Sequence, residues 1–152
     1  MYVKGIYLNG TDDLSDVFKL RTKIFDSSET DFSNYFDIDT SLYAENLAIH
    51  SLVIDENEYV GCGSLYYDGE HFVLDRVGVL TEKRRQKIGD FLVRMLIDKA
   101  FQLGPNTVYV YCKEDVIPFF ASIGFDIEKK EKDLVKMAIT EKHVCKACHS
   151  MK

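Results

Sequence analysis

Three apolar runs in quick succession limit what this chain can become. Residues 47–54 (LAIHSLVI), 59–67 (YVGCGSLYY) and 72–80 (FVLDRVGVL) are separated only by DENE and DGEH, room enough for tight turns and nothing longer. Strands joined so closely must run antiparallel, because a parallel return needs a crossover of a dozen residues or more. A three-stranded meander over residues 47–80 is therefore expected. Its apolar surfaces need covering, and flanking segments have the right pattern for that.

Upstream, YVKGIYLNG reads as a first strand closed by Asn9-Gly10. Thr11 has the chemistry of an N-cap, and Asp12 and Asp13 suit the positive end of a helix. Leu14, Val17, Phe18 and Phe25 share one helical face, predicting a helix over about residues 12 to 25. Residues 26–46 are polar, carry Phe32, Tyr35, Phe36 and Tyr43 without clean periodicity, and read as a loop with a short helical turn.

Downstream, Ile88, Leu92, Met95, Leu96 and Leu103 mark the buried stripe of a helix ending at Gly104-Pro105. TVYVYC is a strand with Val108, Val110 and Cys112 on one face. VIPFFASIG is a short helix stopped by Gly124, and FDIEKKEKDLVKMAIT closes the domain as two strands around a charged turn. Helices interleaved with strands after a meander give an α/β fold (α+β in detail) with a mixed sheet and helices on both faces. One domain is expected over residues 1–141, followed by a Cys/His-containing tail over 142–152.

Charge and length exclude several functions. Nineteen Lys and Arg against 25 Asp and Glu leave a net charge of −6, unsuited to nonspecific nucleic-acid binding, which rests on neutralising phosphates. No apolar run reaches the 18 or so residues of a membrane span, and MYVKGIYLNGTDD lacks a secretory core. A cytoplasmic address follows as the expectation, with no nucleic-acid or membrane partner, and reduced cysteines.

Against that acidic background, VGVLTEKRRQKIGDFL concentrates Lys83, Arg84, Arg85 and Lys87 where the second helix begins, with Gly89 in its first turn. The first amides of a helix lack partners and carry partial positive charge, so a helix start is an anion site. Cations there oppose the dipole unless an anion sits between them. A ligand bearing paired phosphates accounts for cations, helix start and glycine together.

The same stretch resembles the acetyl-CoA-binding motif of the GNAT acetyltransferase superfamily, Arg/Gln-x-x-Gly-x-Gly/Ala. Arg84 stands at its first position, Gly89 at its last and Lys87 at the middle glycine. PFFASIGF resembles the family's Phe-Tyr-x-x-x-Gly-Phe segment. LRTKIF with FDIDTSLYAENLAIH is similar to a bacterial subgroup. The resemblance covers roughly residues 3 to 140.

It implies an N-acetyltransferase that moves acetyl from acetyl-CoA, a co-substrate, directly to a primary amine within a ternary complex. The main chain of Val77, Gly78 and Val79 would pair with the pantetheine arm. The segment Arg84, Arg85, Gln86, Lys87, Ile88, Gly89 and Asp90 would hold the pyrophosphate, and Phe119 and Phe120 would flank the cofactor. Phe120 stands where relatives often carry an acid tyrosine and has no proton to give. Asp75 and His50 are the candidate bases. His50 reads more readily as a hydrogen-bonded sheet histidine and Asp75 as a salt-bridge residue, although strand alternation makes Arg76 a poor direct partner for it. The acceptor would be a small-molecule or peptide amine; a homodimer is compatible. A different reading is an acyl-CoA-binding regulatory module without transferase activity. In the tail, Cys145 and Cys148 form a Cys-x-x-Cys pair able to chelate zinc through two thiolates; His149 is awkwardly placed to join them, His143 or residues of a second chain could complete the site, a frayed end with exposed thiols is the alternative, and no metal is assigned.

Overall fold

A computed structural model describes residues 3–25, 47–67, 69, 71–84, 87–131 and 134–141. The aromatic segment 26–46, Arg85, Gln86 and the Cys/His tail lie outside the described residues.

Strand β1 (Val3–Asn9) leads to helix α1 (Ser15–Ile24) and then to the meander of β2 (Ile49–Asp55), β3 (Glu58–Tyr67) and β4 (Phe72–Val79). Helix α2 (Ile88–Gln102), β5 (Thr107–Cys112), the short helix α3 (Ile117–Ile123), β6 (Asp126–Glu131) and β7 (Leu134–Thr140) complete the chain order. The seven strands form one mixed sheet in the order β1-β2-β3-β4-β5-β7-β6. Among the described residues only β4 and β5 pair in parallel, and α2 supplies their crossover. The DENE break is a two-residue turn with positive φ at Glu56 and Asn57, the mirror-image geometry that matches strand twist.

Three glycines show which helix lies on which face. A Cβ at Gly61 or Gly63 would meet Ile88, Leu92 or Leu96 of α2, whereas one at Gly78, paired with Cys62, would strike Ile24 and Phe25 at the end of α1. Successive strand residues alternate faces, so α1 and α2 cover opposite sides, as expected. Val17 and Leu20 bury α1; Ile88, Leu92, Val93, Leu96, Ile97 and Ala100 bury α2. Among the described residues no helix is long and apolar enough to cross a membrane.

Helix α1 starts three residues later than expected. Asp12 accepts the Asn9 amide at 2.8 Å and its own amide bonds the Asn9 carbonyl at 2.9 Å, closing a turn instead of a helix. Asp13 accepts the Ser15 amide at 3.0 Å, and that bond holds its carboxyl below the usual range. Thr11 therefore does not cap, and Leu14 holds the cap position without a side-chain bond. Two stripe residues also move outward: Phe18 lies at the rim of α1, and Leu103 is exposed just beyond α2.

Candidate active site

The site begins where two strands stop pairing. Phe72, Val73 and Leu74 of β4 pair with Val108, Tyr109 and Val110 of β5 in a short parallel ladder. Beyond them β4 and β5 diverge, and a cleft of about 740 Å³ fills the space between. Val77, Gly78 and Val79 form one wall and Tyr111, Cys112 and Lys113 the other. Ile24 and Phe25 close it from α1, Phe119 and Phe120 from α3, and Lys83, Arg84 and Lys87 to Asp90 from the start of α2. Val79 is paired through its other edge with Gly61 and Gly78 with Cys62, so it is the side of β4 turned toward β5 that meets the cleft.

At the α2 end, Lys87 occupies the cap position with φ 62 and ψ 16. That is the left-handed conformation glycine adopts freely and other residues adopt at a cost. The lysine thus keeps the backbone shape a glycine would supply and adds a cation. A Cβ at Gly89 would lie 3.4 Å from the Phe119 ring and 3.8 Å from Val79, both ordinary contact distances, so the packing of α3 beside the start of α2 does not by itself require glycine there.

Two of the neighbouring cations are tied back to the protein. Lys83 pairs with Asp55 at 3.2 Å, a contact that raises the ammonium's pKa. Arg84 donates its Nε–H to the Val79 carbonyl at 3.2 Å, bracing the turn between β4 and α2. Asp90 accepts from Arg94 one turn on at 2.8 Å.

At the opposite end stands a bulge. Cys62 faces Gly78 and Ser64 faces Asp75, so Gly63 opposes two residues, Arg76 and Val77. Arg76 takes φ 54 to make this possible. The kink cancels strand alternation locally, and the Arg76 guanidinium bonds the Asp75 carboxylate directly, with both side chains nearly buried. The expectation that Arg76 is a poor direct partner for Asp75 is corrected here. Arg76 also lies over the Tyr66 ring, 5.4 Å from its centre.

His50 is fully buried on the α1 side. Its Nδ1 lies 2.7 Å from Ser64 Oγ and 3.4 Å from Arg21, which also donates to Ser64 at 2.8 Å and Tyr66 at 3.1 Å. Asp75 lines the cleft, whereas His50 sits behind it in this network. In the sequence Arg21 stands out only as a break in an apolar stripe. A long cation on the buried side of an amphipathic helix is the signal that could have marked it.

Cys112 lines the cleft near Met137, and burial with the Asp115 charge pushes its thiol up to about 11. A thiol so strongly protonated is a poor nucleophile at neutral pH.

A cleft apolar along two strands and cationic at one end fits a linear ligand with an uncharged arm and an anionic head. Residues 14–125 match the sequence model of the acetyltransferase (GNAT) family. The chain belongs to that family. It is a transferase, and solved structures share its fold. An acyl-CoA N-acyltransferase from Pseudomonas aeruginosa matches at a TM-score of 0.74 and 14% identity, covering 91% of this chain and 100% of that one. A GNAT acetyltransferase from Elizabethkingia anophelis with acetyl-CoA bound matches at 0.69 and 16%, covering 91% and 97%. The PaiA N-acetyltransferase from Thermoplasma acidophilum in complex with coenzyme A matches at 0.67 and 15%, covering 92% and 99%.

Proposed function

We propose that this GNAT protein binds acetyl-CoA in the β4–β5 cleft and passes the acetyl group directly to a primary amine held in the same complex. The observation that carries the reading is the loss of pairing after Leu74 and Val110, which turns one edge of β4 toward an elongated cleft ending at α2. Main-chain groups of Val77, Gly78 and Val79 bond the pantetheine arm in place of the missing strand. Amides from Arg84 to Asp90, with Arg85 and Gln86 in the same segment, hold the pyrophosphate, and the Lys87 ammonium adds charge. Phe119 and Phe120 form the apolar wall.

Asp75 is the proton acceptor. Its carboxylate takes a proton from the ammonium; the free amine attacks the thioester carbon; a C–N bond forms as the C–S bond breaks. The coenzyme leaves as thiolate and takes a proton from water, because Phe120 has none to offer, while the second proton on the amine nitrogen passes to water as the amide forms. Holding amine and thioester together is the largest contribution, since it removes the entropic cost of their meeting. His50 supports this end through Ser64 and Arg21. The protonated state of Cys112 favours direct transfer over a relay through that thiol. The acceptor is a small molecule or a peptide amine.

Acetyl-CoA at about a hundred times its Kd is expected to raise the unfolding free energy by about 2.7 kcal/mol, read as a higher Tm. Thiol release from acetyl-CoA should then accelerate with one member of a panel of polyamines, amino sugars and basic peptides. A protein that melts at the same temperature with and without the coenzyme defeats the reading.

A further inference from the structure

The bulge in β4 does more than open the cleft. At Arg76 the strand turns into a left-handed conformation, and this brings the Arg76 and Asp75 side chains, expected on opposite faces, onto each other. Both line the cleft, at the end away from α2. The guanidinium is held a second time, over the face of Tyr66, whose hydroxyl accepts from Arg21 of α1 at 3.1 Å. Asp75 is thus fixed by a cation that is itself clamped between strand and aromatic ring.

We propose that Arg76 is a positioning residue for acetyl transfer, aiming the Asp75 carboxylate at the incoming amine. This rests on the assignment of Asp75 as proton acceptor. The physical case is geometric. A carboxylate on a short side chain has two torsions to lose, and a planar guanidinium bonded to one of its oxygens fixes both. A catalytic base acts only within hydrogen-bond reach of the proton it removes, so a small loss of aim costs rate without costing substrate affinity.

The test follows thiol release from acetyl-CoA with the panel above and with water as acceptor, using whichever acceptor is fastest. Arg76→Gly removes the guanidinium while suiting the left-handed backbone, so the bulge survives. Its kcat should fall by about 10²-fold, the lower range for a misplaced base, while the KM for acetyl-CoA stays near that of the wild type. Millimolar guanidinium ion should restore part of the Arg76→Gly rate and leave the wild type and Arg76→Lys unchanged. A residue needed only for folding would not respond to guanidinium.

If Arg76→Gly keeps full kcat while Asp75→Asn loses it, or if its lost rate ignores guanidinium, the positioning role is wrong and the base assignment stands. A raised KM with unchanged kcat makes Arg76 a coenzyme contact and also overturns the role. If Asp75→Asn turns over like the wild type, or the wild type releases thiol no faster than solution, the underlying reading fails and takes the inference with it.

Discussion

The two ends of the cleft are built in different ways. The α2 end comes from one contiguous stretch, residues 79–90, in which strand end, turn and helix start follow each other directly. The far end is assembled from four elements: Arg21 from α1, His50 from β2, Ser64 and Tyr66 from β3, and Asp75 and Arg76 from β4. A site made by local main chain can be recognised by spacing. A site made by tertiary convergence cannot, because nothing in the order of residues says which side chains will meet.

The largest effect that would break this contrast is expected at Gly78, which joins the two ends through the wall they share. Any side chain there meets Ile24 at 2.5 Å and Phe25 at 2.8 Å. Gly78→Val should cost about 1–3 kcal/mol as overpacking, and should also abolish stabilisation by acetyl-CoA as the end of α1 is pushed from the cleft. Thermal melts with and without coenzyme read both effects. An unchanged melt would mean that α1 does not seat on β4.

Lys87→Gly sharpens the comparison at the α2 end. Relief of a left-handed residue is worth about 1–2 kcal/mol, and the added freedom of glycine in the unfolded chain takes back about 0.5–1 kcal/mol. A small gain in denaturant midpoint is expected, together with coenzyme binding that is weaker and less sensitive to salt. Stronger binding by the variant would show that the ammonium does not face the phosphates.

The smallest effect concerns Cys112, midway between the ends. Its folded value, about 11, lies above the ordinary thiol value of 9.0. The unfolded thiol therefore ionises first. The stabilisation is complete below about pH 9 and fades as pH rises toward 11. Cys62, pushed up to about 12 by burial, adds to the same trend. Cys112→Ala should flatten the fall in Tm across alkaline pH without removing it.

Much of the fold is legible in the sequence because its signals are local. Short breaks force the meander, Gly104 and Gly124 stop helices with the positive φ that only glycine adopts cheaply, and alternation places Val108, Val110 and Cys112 inward. The start of α1 escapes for a reason equally local: Asp12 and Asp13 can bond a turn or cap a helix, and the turn prevails. The pairing of Asp75 with Arg76 is hidden for another reason. Period-two reasoning holds only in regular strand, and a bulge is signalled by no residue type when an arginine takes the left-handed position.

The narrow parallel seam between β4 and β5 has a mechanical consequence. The meander with β1 and the β5-β7-β6 sheet share a ladder of only three residues on each strand, with α2 bridging behind. A coenzyme laid along the open edges would act as a suture, joining two half-sheets that the polypeptide itself barely stitches. Amide exchange in β5 and β7 would then slow on loading, and the reactive geometry would tighten only once the molecule to be consumed had finished sewing it shut.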